Sequence, residues 1–148
     1  MGDKMKKIRT SIVGLVVLIA VILTACSAAG GLDATSWKLE SYADTAGELV
    51  DVLPGSVVTL DFQAAQVSGN ASCNNYSGTY QATGSKIEFG PMAATRKMCA
   101  QPLGIMEQED AYLAAMGATA EYNLRGNTLE MKDNRGDVIL VFVGAAGD

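Results

Sequence analysis

Few residues in this chain could do chemistry, and the first fact about them is an absence. Among 148 residues there is no histidine, so neither a nucleophile–histidine–acid relay nor a histidine metal site can be assembled. Of the three cysteines, Cys73 and Cys99 lack Cys-x-x-Cys spacing and no third free thiol completes a zinc set. No metal, no cofactor and no catalytic residue is expected, because an enzyme would have to rest on carboxylates alone. The densest carboxylate group is Glu107, Glu109 and Asp110. It falls in the first turns of an expected helix, where acids complement the positive end of the helix dipole, and that explanation outweighs a paired-carboxylate site. Arg135-Gly136-Asp137 spells an adhesion tripeptide, but Gly136 stands where a tight turn needs its permissive residue, so a turn is expected.

Cys26 has a different context. Lys4, Lys6, Lys7 and Arg9 form a positive stretch, and Ile12 to Leu23 an apolar one. That run is shorter than the roughly 20 residues a spanning helix needs, so residues 1–25 read as a secretory signal. Leu23-Thr24-Ala25-Cys26 is similar to the lipobox of bacterial lipoproteins, with small residues before the cut and a cysteine to carry lipid. The expected product is anchored to a membrane through Cys26 and does not span it. Ser27 is not the aspartate linked to inner-membrane retention, so a cell-envelope address at the outer membrane is favoured in a Gram-negative organism. Removing residues 1–25 leaves 7 basic against 15 acidic residues, a net charge of −8. Nucleic acid is not an expected partner.

With Cys26 lipidated, Cys73 and Cys99 remain as an even pair in an exported chain, where disulfides persist. A Cys73–Cys99 bond is expected; two buried free thiols are the alternative.

The elements that must position these residues follow from periodicity. Residues 26–34 read as a small, flexible tether and 35–144 as one domain. Thr35 to Tyr42 alternates with Trp37 and Leu39 inward, a loop spans Asp44 to Gly55, and Val57 to Phe62 alternates again. Gln66 to Ser68 is a third strand. The stretch Val67 to Tyr80 reads as a corner, with Gly69 and Gly78 free to take positive φ and Asn70, Asn74 and Asn75 suited to Asx-turns. Gly78 to Ala82 and Lys86 to Phe89 form a hairpin across Thr83-Gly84-Ser85, and short links imply antiparallel pairing. Residues 92–99 show no period. Ile105 to Gly117 is the one helix, and three strands at Ala120 to Leu124, Leu129 to Met131 and Val138 to Val143 close the chain. Trp37, Leu60, Phe62, Phe89, Leu113, Met116, Leu124, Leu129 and Phe142 are the expected core.

The word Cys73-Asn74-Asn75-Tyr76-Ser77-Gly78-x-Tyr80, together with Gly69-Asn70, Thr95-Arg96 before Cys99, and Glu109 with Tyr112-Leu113, resembles the META domain family, which includes the heat shock protein HslJ. Ser72 stands where that family often has glycine. The resemblance implies an α+β fold that is mainly antiparallel β, a strongly curved or partly barrel-like sheet with one helix packed on it. It also implies association with envelope stress or secretion and no established enzymatic activity. A non-catalytic binding role toward an envelope protein, a secretion component or an acyl chain is expected. An inhibitor or protective module acting on an envelope enzyme through the Asp44 to Gly55 loop is the alternative.

Overall fold

The computed structural model describes residues 31–145; Cys26 and the signal-like segment lie outside them. Among the described residues ten strands and one helix follow in order: β1 (Thr35–Ala43), β2 (Leu49–Asp51), β3 (Thr59–Gln63), β4 (Gln66–Asn70), β5 (Asn75–Thr83), β6 (Lys86–Phe89), β7 (Ala93–Ala94), α1 (Ile105–Ala118), β8 (Glu121–Arg125), β9 (Thr128–Lys132) and β10 (Val138–Gly144). Every named strand pairing is antiparallel. The path β10-β9-β8-β6-β5-β4-β3-β1 returns through a β1–β10 pairing, so eight strands close into a barrel, with β2 added outside on β1 and β7 on β5.

Closure follows from the alternation in the sequence. In β5, Tyr76 and Tyr80 are buried between exposed neighbours; in β3, Leu60 and Phe62 are buried beside the half-buried Thr59 and Asp61. The period of two sends one face of each strand inward. Phe62, Phe142, Leu60, Leu129, Met131 and Leu140 fill the interior, none more than 1 % exposed. Phe62 meets Tyr80 edge-on at 4.8 Å between ring centroids. α1 packs against β1, β10 and β6, burying Ile105, Tyr112, Ala115 and Met116. Trp37 is core, its Nε1 donating to Thr35 Oγ1 at 2.8 Å.

Several expectations need correction. Leu124 is 38 % exposed: it stands opposite the fully buried Leu129 on β9, but β6 pairs with β8 only at Lys86 and Glu121, so its other flank has no neighbouring strand. Leu113 and Phe89 are only partly buried at the margin of the core. The flexible tether ends earlier than residue 34, because Leu32 is fully buried, its carbonyl accepts from Thr35 Oγ1, and Asp33 Oδ1 accepts from Ala64 N at 2.7 Å. The Asp44 to Gly55 loop contains β2, and the aperiodic segment contains β7, both too short to show a period. The corner is tighter than Val67 to Tyr80. β4 runs to Asn70 and β5 starts at Asn75, leaving Ala71 to Asn74 to make the change of direction.

Candidate functional site

The corner is held by residues from three distant parts of the chain, and Asn74 is its hub. Its side chain is 2 % exposed, and each of its four hydrogen-bonding positions is used. Asn74 Nδ2 donates to Glu109 Oε1 at 2.6 Å and to Lys97 O at 3.1 Å. Its Oδ1 accepts from Thr95 Oγ1 at 2.8 Å and from Lys97 N at 2.7 Å. An amide is the one side chain of this size with two donors and two acceptors, so neither aspartate nor leucine could replace it without loss.

Glu109 comes from the buried side of α1 and is 4 % exposed. Its Oε2 accepts from Cys73 N at 3.1 Å and Asn74 N at 2.7 Å. The corner's backbone N–H groups, which no strand partner can satisfy, are therefore met by a carboxylate from the helix. This corrects the dipole reading of Glu109: only Glu107 lies in the first turn as an exposed acid. The neighbouring Gln108, 1 % exposed, accepts from Leu53 N at 2.7 Å and donates to Ser56 Oγ at 2.9 Å and Ser72 Oγ at 2.6 Å. No buried side-chain nitrogen or oxygen among the described residues lacks a partner.

The backbone of the corner also departs from expectation. Neither Gly69 nor Gly78 has positive φ; Ser72 does, at 111°, with its N–H donating to Asn70 Oδ1 at 2.9 Å. Gly69 is required for closeness instead. A Cβ there would stand 2.0 Å from Thr59 O, a contact no side chain survives. A Cβ on Gly78 would stand 3.2 Å from Pro91 O and from Met92 Cγ, a tight contact that its neighbours could relieve by a small shift. Asn70 Nδ2 reaches Asn75 Oδ1 at 3.0 Å, and Tyr76 OH donates to Thr59 O at 2.8 Å. Because that uses the Tyr76 proton, the 2.6 Å contact between Tyr76 and Tyr112 hydroxyls is donated by Tyr112. Burial pushes both phenols well above their ordinary range.

A disulfide joins Cys73 to Cys99 with the Cα atoms 5.9 Å apart, inside the limit of about 7 Å. The expected pair is thus present, and it fastens the segment after β7 to the corner. Arg96, from the same segment, is exposed beside Lys97, Met98 and, further on, Leu103. The motif residues therefore divide. Gly69, Asn70, Asn74, Tyr76, Gly78 and Thr95 meet at or near the corner, while Arg96 faces outward. Glu109 and Gln108 were the residues that sequence reasoning did not place there. Their signal was present, because Glu109 falls on the same helical stripe as Ile105, Tyr112 and Met116. Among the described residues no group of three or more cysteine or acidic side chains could hold a metal ion.

Comparison with known proteins agrees with this geometry. The META domain matches residues 30–146. No curated protein matches the chain. An NMR structure of a protein from Burkholderia xenovorans is 28 % identical, with a TM-score of 0.65, covering 81 % of this chain and 88 % of that one. A second NMR structure is 22 % identical with a TM-score of 0.58, covering 76 % and 90 %. A crystal structure of a DUF4847 family protein from Bacteroides vulgatus shares the fold at 12 % identity and a TM-score of 0.56, covering 79 % and 96 %.

Proposed function

The chain belongs to the META domain family, and from that premise we propose that it acts as a non-catalytic, lipid-anchored protein of the cell envelope whose barrel presents a fixed surface to another envelope or secretion protein. The observation that carries this is how the corner's polar groups are used. Asn70, Asn74, Thr95, Gln108 and Glu109 bond to neighbouring side chains and to backbone, so they hold shape and are not available to react. What projects from the braced segment is of the contact type: Arg96, Lys97, Met98 and Leu103, the last two 87 % and 89 % exposed. Arginine and methionine are enriched at protein interfaces, and a rigid loop loses little entropy on docking.

The first described residues and this surface lie at opposite ends of the β3–β4 hairpin. Thr35 pairs with Phe62 and Asp33 caps the β3–β4 turn, whereas the corner lies beyond the other ends of β3 and β4, where Val58 bridges Ala71. Cys26 to Leu32 spans at most about 20 Å. A lipid on Cys26 would hold the barrel close to the membrane with the corner directed away from it. The barrel interior is occupied by side chains such as Leu60, Phe62, Met131 and Phe142, so a protein partner is preferred to an acyl chain.

One observation favours the inhibitor reading: among the described residues β2 pairs only with β1 and offers an open edge, with Leu49 46 % exposed. Affinity purification at native level with lipid retained separates the two. Loss of a stoichiometric partner in Met98→Glu/Leu103→Glu supports the corner surface, and loss in Leu49→Glu with a hydrolase in the eluate supports the inhibitor. An unchanged eluate in both variants overturns both. Cys26→Ser is expected to release the protein from membranes or leave it uncleaved, and a mature-length membrane-bound Ser variant would refute the anchor.

A further inference from the structure

Met98 is held outward by its neighbours. On one side, Lys97 N donates to Asn74 Oδ1 at 2.7 Å and Lys97 O accepts from Asn74 Nδ2 at 3.1 Å. On the other, Cys99 is bonded to Cys73. A residue between two such fastened positions cannot turn its side chain back onto the barrel, and Met98 is 87 % exposed. The other methionines in the described residues differ sharply: Met116 and Met131 are fully buried, and Met92 and Met106 are half-buried. Cys73 and Cys99 carry no free thiol, so no thiolate competes among the described residues. The most accessible soft nucleophile there is the Met98 sulfur.

We propose that Met98 is an oxidation site of this protein, taking one oxygen atom from a peroxide or a hypohalous acid. A lone pair of the thioether attacks the electrophilic oxygen of hydrogen peroxide. The S–O bond forms as the O–O bond breaks, sulfur is oxidised to the sulfoxide and the peroxide is reduced to water; with a hypohalous acid, halide and a proton leave instead. The product turns an apolar projection into a polar hydrogen-bond acceptor. Because Met98 packs against nothing that holds the barrel, the surface changes and the fold does not. Methionine sulfoxide reductases reverse the reaction, which makes the change usable as a switch.

The test is a hydrogen peroxide time course on the full chain in detergent, followed by peptide mass mapping. Met98 is expected to oxidise at least about tenfold faster than Met116 and Met131, and within about threefold of N-acetylmethionine amide. Protein oxidised at Met98 alone is expected to keep its unfolding temperature within about 1 °C. In Met98→Leu, fast oxygen uptake by peptides from residues 31–145 is expected to disappear. Oxidation of Met98 no faster than of the buried methionines, a fast phase that persists elsewhere in residues 31–145 of Met98→Leu, or unfolding on Met98 oxidation would each overturn the proposal.

Discussion

Replacing Glu109 by glutamine changes one atom and should cost far more than that suggests. In the native site one carboxylate oxygen accepts two backbone N–H groups, at 3.1 and 2.7 Å, and the other accepts Asn74 Nδ2 at 2.6 Å. Glutamine can keep the first pair by pointing its oxygen at the backbone, but its NH2 then meets the Asn74 NH2, donor against donor. Turning the Asn74 amide over removes that conflict and creates two others, its NH2 against Lys97 N and its oxygen against Lys97 O, which now bond to Asn74 Oδ1 and Nδ2. One buried donor is left unmatched either way, at about 1–3 kcal/mol, and two bonds lose a charged acceptor, so Glu109→Gln should destabilise by about 2–5 kcal/mol. Urea denaturation followed by fluorescence of Trp37, the single tryptophan, measures this with the disulfide intact. The specific check is rescue. Asn74→Asp alone sets carboxylate on carboxylate, but Asn74→Asp with Glu109→Gln restores an acceptor for the new amide, so the double variant should be at least about 1.5 kcal/mol more stable than Asn74→Asp. A Glu109→Gln effect within about 0.5 kcal/mol, or no rescue, would refute the hub.

Three further outcomes follow from the same structure. Removing the disulfide by Cys73→Ser/Cys99→Ser, with a sequence separation of 26, should cost about 3–4 kcal/mol in the chain-entropy model; alkylation of both thiols without reductant would show that no bond exists. Met116→Ala, at a fully buried position, should cost about 2–5 kcal/mol, and Leu124→Ala, at the exposed strand end, less than about 1; equal losses would contradict the packing. Burial raises the phenols of Tyr76 and Tyr112 above their ordinary value of 10.0, so the native state holds protons that the unfolded chain releases. Their contribution is complete below about pH 10 and is lost above it, by about 1.4 kcal/mol per pH unit for each tyrosine. Tyr112→Phe should make that loss clearly shallower in urea titrations between about pH 9 and 11, leaving the shares of Tyr76 and of Tyr42 and Tyr80, which burial also raises, and a flat profile for the native protein would place the phenols in solvent.

The sequence by itself determined the local elements and the residues that end them. Alternation at Trp37 and Leu39, at Leu60 and Phe62, and at Leu129 and Met131 is a backbone property that needs no partner to be legible. The same holds for the turn at Gly84, where φ is 61°, and for the turn at Asp133 to Gly136, where Asp133 Oδ1 accepts from Arg135 N and Asp137 N. Cysteine parity pointed to Cys73 and Cys99 without any distance. What only the tertiary structure decided is which polar groups face each other. Glu109 lies 35 residues from Asn74, and Gln108 lies 55 from Leu53, and along the chain a helical glutamate that braces a corner looks the same as one that complements a dipole. The periodicity of α1 shows the stripe on which Glu109 lies, but whether that stripe meets apolar side chains or unpaired N–H groups depends on where closure of β1 onto β10 places the corner. Leu124 makes the same point in reverse: its alternation matches that of its buried partner Leu129, and its exposure is set by how far β6 runs beside β8, which no local pattern encodes.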